Sequence, residues 1–380
     1  MRVGIITHWW CFENYGQILQ CYAYQRFLRL RGHDPFIIRY FPFHLVGDKL
    51  TIRRILRNMY APAAFLQKII ARISGQTRKA VLRRCKVETA RQFQKFKDER
   101  ITYTHEVFKS YNEVVRSSEI EAECYSVGSD VVWKFVPLDD NGRIFFLDFG
   151  PKSAKRIAYS PSFGSAIISE AYKRFAKPLI KNLDYVSVRE NSGIEICNEL
   201  GRSGVKCVLD PVFLVRQEQW RSDFQVPNGR NGVFCYFLAM RGGVPISEIV
   251  DLCGPMVVPK ITTVYDDMNV PEEMLANPVI SDWVRLVGAS SAVVTNSFHG
   301  TAMSIIMHTP FIAVLKEGGG GMDNRLISIL DRVGLTSRIY SPGKGSLKAQ
   351  MAEPIDWESV EKSLAEEIRS SEAFLRDAGL

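Results

Sequence analysis

The polar residues that could do chemistry in this chain stand in short groups, each just past a short apolar run. The richest group is Asn296-Ser-Phe-His-Gly-Thr301, between the apolar run Ala292-Val-Val-Thr295 and a helical-looking stretch over 301–307. A strand, a tight loop and a helix N-terminus make an anion site. The first helical N–H groups lack an intrahelical partner, and the helix dipole favours negative charge. Asn296, Ser297, His299 and Thr301 cluster at that mouth. The alternative is an ordinary turn with capping residues. Further polar residues follow other apolar runs: Asn14, Tyr15 and Gln17 in the loop after 3–7, Asp130 after 123–128, Arg189 after 185–188, Lys316 after 310–315, and Arg325 at a helix start. Any one of them alone reads as a cap or turn residue, and the repetition at several strand ends is what argues for a shared cleft.

The elements needed to position these groups follow an α/β pattern. Strands are expected at 2–7, 34–40, 123–128, 156–160, 185–188 and 205–211, with a helix over 18–31. The opening βαβ unit places the loop of residues 8–17 at a strand's carboxyl end, where such sheets bind ligands. That loop is not G-x-G-x-x-G, so a dinucleotide gets little support. Pro227-Asn-Gly-Arg-Asn-Gly232 reads as a linker. A second α/β unit follows, with strands at 233–238, 256–258, 292–295 and 310–315, and helices at 245–253, 282–289, 301–307 and 323–330. The expected organisation is an N-terminal Rossmann-like domain over 1–226, a C-terminal one over 227–355, and a terminal helix in 356–380 packing back on the first.

The bulk composition bounds the class. The 380 residues suit two domains, and 46% hydrophobic with 24% charged residues is the balance of a globular chain. A net charge of +8 points to an anionic partner. The eight cysteines form no C-x-x-C pair, which argues against a zinc site or a disulfide framework and for scattered thiols in a reducing cytoplasm. No apolar run approaches the ~20 residues of a membrane span, and none resembles a signal peptide. Residues 51–100 are crowded with Lys and Arg against only Glu88, Asp98 and Glu99, and read as a basic helical insertion. One reading is attraction to an anionic membrane face or a phosphate-bearing acceptor; the other is a solvated basic helix pair. No nucleic-acid reader motif is present, so a nucleic-acid partner is not expected.

Six motifs then agree in order: Asn14-Tyr-Gly-Gln17, Val127-Gly-Ser-Asp130, Ser187-Val-Arg-Glu190, Leu209-Asp-Pro211, Asn296-Ser-Phe-His-Gly-Thr301 and Asn324-Arg325. This set resembles the polysaccharide pyruvyl transferase family, with Ser-Phe-His-Gly as its most specific part. Gln17 stands where many relatives carry an acid, so no carboxylate role is expected there. The resemblance implies a GT-B-like fold, two Rossmann-like domains with parallel sheets facing a cleft. It implies transfer of pyruvate from phosphoenolpyruvate to a galactose-like sugar, as a ketal, in bacterial capsule, exopolysaccharide or cell-wall glycan assembly. The donor is then a substrate, and no cofactor or metal is implied.

On that resemblance the donor side comprises Arg189, Asn296, Ser297, His299, Gly300, Lys316 and Arg325. Arg189 would grip the carboxylate by a fork that Lys cannot copy, and Lys316 would meet the phosphate as a point charge. His299 would hold the phosphate or act as acid to it as it leaves. Asp130 would stabilise positive charge at C2 or take the hydroxyl proton. Asn14, Tyr15, Gln17 and Trp133 fall on the acceptor side, where aromatic faces could stack on a sugar. A lipid-diphosphate-linked acceptor would bring residues 51–100 to the inner membrane face of a cytoplasmic enzyme. The rival readings are a GT-B glycosyltransferase using a nucleotide sugar and a non-catalytic glycan-binding homologue. The first lacks an evident acid for a ribose.

Overall fold

The computed structural model describes residues 1–11, 14–41, 87, 89–238, 244–254, 257–263, 270–315 and 323–380. The first half builds a six-stranded sheet from β1 (Arg2–Ile6), β2 (Asp34–Ile37), β3 (Cys124–Val127), β4 (Lys155–Ala158), β5 (Tyr185–Val188) and β6 (Lys206–Cys207), in the order β2-β1-β3-β4-β5-β6. The second builds a four-stranded sheet from β7 (Val233–Phe237), β8 (Lys260–Thr263), β9 (Ala292–Thr295) and β10 (Phe311–Ala313), in the order β10-β9-β7-β8. Every neighbouring pair is parallel. Most strand residues are buried, as parallel strands covered by helices on both faces must be. In each sheet the first strand carries the second on one flank and the third on the other. Each sheet therefore has a topological switch point beside its first strand, where the crevice for a ligand opens. The chain is an α/β protein of two Rossmann-like, GT-B-like halves.

The helices used below are α1 (Tyr15–Leu30), α2 (Phe93–Arg100), α3 (Glu170–Ile180), α4 (Asn191–Glu199), α5 (Gln217–Phe224), α6 (Ile246–Cys253), α7 (Ile280–Ala289), α8 (Phe298–Ile306), α9 (Asn324–Arg332) and α10 (Trp357–Asp377). Several bounds differ from the sequence expectation for identifiable reasons. α1 begins at Tyr15 rather than 18, because the Asn14 side chain accepts the Gly16 N–H and caps the helix there. α8 begins at Phe298 rather than 301, because Ser297 accepts the Gly300 N–H. The strand expected at 256–258 lies instead at Lys260–Thr263, just after Pro259, which has no N–H for a ladder. β6 covers only two residues of the expected 205–211, because the Leu209 N–H goes to Ser371 Oγ of α10 rather than to a strand. α3, capped by Ser169 and carrying Pro178, has no counterpart in the sequence reading.

One apolar core runs through both halves, from Val3 and Ile5 of β1 to Phe234 and Tyr236 of β7 and Met303 of α8. Tyr15 fastens this junction: its ring stacks on Trp283 of α7 at 5.4 Å, and its hydroxyl donates to Pro278 O at 2.7 Å. α10 touches both halves. It receives the Leu209 N–H on Ser371, lays Phe374 beside Tyr159 and Tyr185, pairs Glu367 with Arg332 of α9, and stacks Trp357 on His308.

Within the basic stretch, residues 51–86 and 88 lie outside the described residues. In the described remainder, Arg91 and Lys97 are buried rather than on a solvated face. Arg91 donates to Asn277 Oδ1 and to Thr263 O of the second half. Among the described residues no helix is long and apolar enough to cross a membrane.

Candidate functional site

The two switch points meet. After β1 comes the loop with His8; after β3 come Ser129 and Asp130; after β5 come Arg189 and Glu190; after β9 come Asn296 to His299. The N-terminus of α1 abuts that of α8 so closely that a Cβ on Gly16 would lie 2.1 Å from His299 Nδ1. Only glycine fits where a helix of one half meets the histidine of the other.

At this meeting point the structure buries a charged cluster. Arg189 spans two carboxylates: Nη2 lies 3.1 Å from Asp130 Oδ1, and Nη1 bonds Asp210 Oδ2. Its guanidinium also lies 4.6 Å above the Phe298 ring, across the junction. Arg325, from the second half, reaches Asp130 Oδ1 at 3.4 Å. His299 Nε2 lies 3.5 Å from Asp210 Oδ2. The other oxygen of Asp130 receives Gln17 Nε2 at 2.7 Å and faces His8 Nδ1 at 3.7 Å. Ser129 Oγ lies 2.9 Å from Asp210 Oδ2, and Glu190 Oε1 accepts the Ser162 hydroxyl at 2.7 Å. Asp130 stands in the left-handed region at φ +68, an uncommon conformation for a non-glycine residue held there by these contacts.

Burial and charge set the protonation states. Burial pushes the Asp130 carboxyl up, but His8, Arg189 and Arg325 outweigh it and hold it well below the usual range. Burial opposes ionisation of Asp210 as well, yet His299 and Arg189 bring it down to about 2. Glu190 goes the other way: burial raises it, and Arg189 and Arg325 only partly offset that. Burial and the neighbouring Arg189 charge lower Arg325 to about 10. A buried guanidinium crowded by another is a group that gains from an arriving anion.

The structure therefore gathers Asp130, Arg189, Arg325, His299 and Gln17 in one cluster. It changes the part of several. Both terminal nitrogens of Arg189 are engaged by aspartates, so this residue ties the cluster together rather than offering an open fork. Both carboxylate oxygens of Asp130 are engaged, Oδ1 by Arg189 and Arg325 and Oδ2 by Gln17. Ser297 is the cap of α8, and Asn296 Oδ1 accepts the Leu238 N–H, bridging the ends of β7 and β9. Gly300 packs against Thr295, where a Cβ would lie 2.4 Å from Oγ1. Asn14 caps α1.

Two acceptor-side expectations are corrected. Tyr15 is buried on Trp283, and Trp133 is buried with its indole N–H donating to Phe145 O. Neither presents a face to a sugar, because both rings are consumed by core packing. Lys316 lies outside the described residues. Three members were not among the candidate site residues: Asp210 and Glu190, which the sequence showed only as parts of the motifs Leu209-Asp-Pro211 and Ser187-Val-Arg-Glu190, and His8, one of several polar residues after β1. Their shared signal was position just past a strand. Among the described residues no group of three or more His, Cys, Asp or Glu side chains is placed to hold a metal.

Residues 14–315 match the sequence profile of the family described as polysaccharide pyruvyl transferase. The chain belongs to the polysaccharide pyruvyl transferase family. Membership makes it a transferase of polysaccharide biosynthesis with a sugar acceptor. All six motifs begin within the matched segment or, for Asn324-Arg325, follow it, whereas His8 precedes it. A search of the curated proteins found no significant match to this chain. Among solved structures, the spinosyn rhamnosyltransferase SpnG is 13% identical with a TM-score of 0.45, covering 100% of this chain and 99% of that one. The glycosyltransferase SnogD from Streptomyces nogalater is 14% identical with a TM-score of 0.42, covering 100% and 99%. The E. coli heptosyltransferase WaaC with ADP is 11% identical with a TM-score of 0.38, covering 97% and 100%. Overlaps this loose carry no argument about substrate, and the fold of this family member is read from its own strand order.

Proposed function

We propose that this polysaccharide pyruvyl transferase moves pyruvate from phosphoenolpyruvate to hydroxyls of a galactose-like residue, as a ketal, during capsule, exopolysaccharide or cell-wall glycan assembly. The observation that carries the reading is the convergence of Arg189 and Arg325, from opposite halves, on Asp130 beside His299 at the paired switch points. A donor with a carboxylate and a phosphate needs fixed cations and donors, and this cluster supplies them together with the N-terminus of α8. Arg325, His299 and Lys316 hold the anionic donor in this reading, and Arg189 ties Asp130 to Asp210. Protonation of the enol methylene makes C2 oxocarbenium-like, and Asp130, kept ionised by its neighbours, stabilises that charge. His299 gives a proton to the departing phosphate.

The test is thermal unfolding with phosphoenolpyruvate and, in parallel, with nucleotide sugars. A ligand that binds only the native state raises the midpoint, by about 2.7 kcal/mol of stabilisation at a hundredfold excess over Kd. A shift with phosphoenolpyruvate that His299→Ala abolishes, the fold being kept, is the expected result. A shift with a nucleotide sugar alone overturns the donor and favours the glycosyltransferase. In the same reading the enzyme works at the inner membrane face through residues 51–100. Turnover of a lipid-diphosphate-linked acceptor should then rise with anionic liposomes and fall with salt, and indifference to both overturns the membrane contact.

A further inference from the structure

We propose that His8 is the general base that takes the proton of the attacking acceptor hydroxyl, with Asp130 as the carboxylate that orients it. The inference rests on the transfer reading above and names the proton acceptor that reading lacks. A pyruvyl transfer to a hydroxyl requires a base within reach of the acceptor, and the cluster offers few. Asp130 Oδ1 already receives Arg189 and Arg325, and its Oδ2 receives Gln17. Asp210 is fully buried beneath Arg189, Ser129 and His299. Glu190 is 2% exposed and bound to Ser162, deep beside the arginines. His299 is 4% exposed, wedged between Gly16 and Asp210.

His8 differs from all of these. Its side chain is 12% exposed, more than that of Asp130, Arg189, Asp210, His299 or Arg325, and its Nδ1 faces Asp130 Oδ2 at 3.7 Å. A carboxylate on Nδ1 fixes the proton there and leaves the Nε2 lone pair for a substrate, and such contacts tighten when substrate binds. The Trp10 ring, half-buried and 4.9 Å from the imidazole, supports it from the side. His8 also sits at the carboxyl end of β1, directly at the switch point of the first sheet.

The step balances. The hydroxyl oxygen bonds to C2 as its proton passes to His8 Nε2, while C3 gains a proton and becomes methyl. The C2–O bond to phosphate then breaks, the electron pair leaves with phosphate, and the second hydroxyl bonds to C2 with loss of its proton. Two protons leave the hydroxyls; one is matched at C3 and one by the phosphate.

The experiment measures phosphate release from phosphoenolpyruvate with p-nitrophenyl β-galactoside and a panel of other p-nitrophenyl hexosides. His8→Gln should lower turnover by about a hundredfold or more while keeping the phosphoenolpyruvate-induced midpoint shift, and added imidazole should partly restore His8→Gly. Turnover of a folded His8→Gln within about threefold of wild type overturns the proposal. Should these variants not fold, diethyl pyrocarbonate labelling of His8 in the wild-type protein decides. Slower labelling with acceptor present supports the base, and unchanged labelling overturns it. No phosphate release by the wild type with any acceptor overturns the transfer reading itself, and is told apart by needing no variant.

Discussion

Arg189 holds two buried aspartates at once, and this makes Asp210 the sharpest single-residue test of the cluster. Asp210→Asn leaves a buried guanidinium half-paired, an expected loss of about 3–5 kcal/mol by chemical denaturation. Its sign with pH follows from linkage. The carboxyl is held at about 2, below its ordinary value of 3.8. Its stabilisation is therefore complete above 3.8 and is lost as pH falls toward 2. The gap between wild type and Asp210→Asn should narrow over that window; a constant gap overturns the ion pair as its source. Glu190 behaves oppositely, because burial raises it. It stabilises below the ordinary carboxyl range and ceases to as pH rises through its folded value. Glu190→Gln should thus gain on the wild type as pH climbs from acid toward neutral, read as Tm against pH.

At the scale of elements, the approach of two helix N-termini decides the site. Gly16 lies in the first turn of α1, where Ala would ordinarily stabilise a helix by about 1 kcal/mol. Here its Cβ would overlap the His299 ring. Gly16→Ala should lower pyruvyl transfer at least tenfold while far-UV circular dichroism stays near wild type; normal turnover overturns the contact. α10 is the second such element. Phe374 is buried between Tyr159 and Tyr185, so Phe374→Ala should cost about 3–5 kcal/mol of stability in a denaturant titration. The Ser371 hydroxyl that replaces a strand partner for Leu209 is fully buried, and Ser371→Ala should cost about 1–3 kcal/mol by the same titration, since it strands a buried N–H.

Across the whole molecule, the two sheets repeat one winding, and their switch points are joined through α1, α8 and the aromatic junction of Tyr15, Tyr236 and Trp283. Neither half holds the cluster by itself: the first supplies Asp130, Arg189 and Asp210, and the second supplies His299 and Arg325. If the proposed donor binds there it bridges the halves, and phosphoenolpyruvate should then raise the unfolding midpoint of the whole chain as one transition. Separate transitions, with only one moved, would place the ligand within a single half.

The sequence by itself determined the alternation of strands and helices and the positions where polar residues leave the strands. Apolar period and cap residues are local signals, carried within a few neighbours. It also carried the family, through six short motifs in order. Tertiary structure alone decided which polar residues meet. Asp130 and Arg325 stand 195 positions apart, and no local pattern encodes their contact. It decided as well that Tyr15 and Trp133 are core while His8 lies against Asp130 with part of its ring exposed, since an aromatic or a histidine beside a strand end looks the same in sequence whichever way it turns. Burial then set the protonation states, because desolvation and charge pairing act only on groups that packing has brought together.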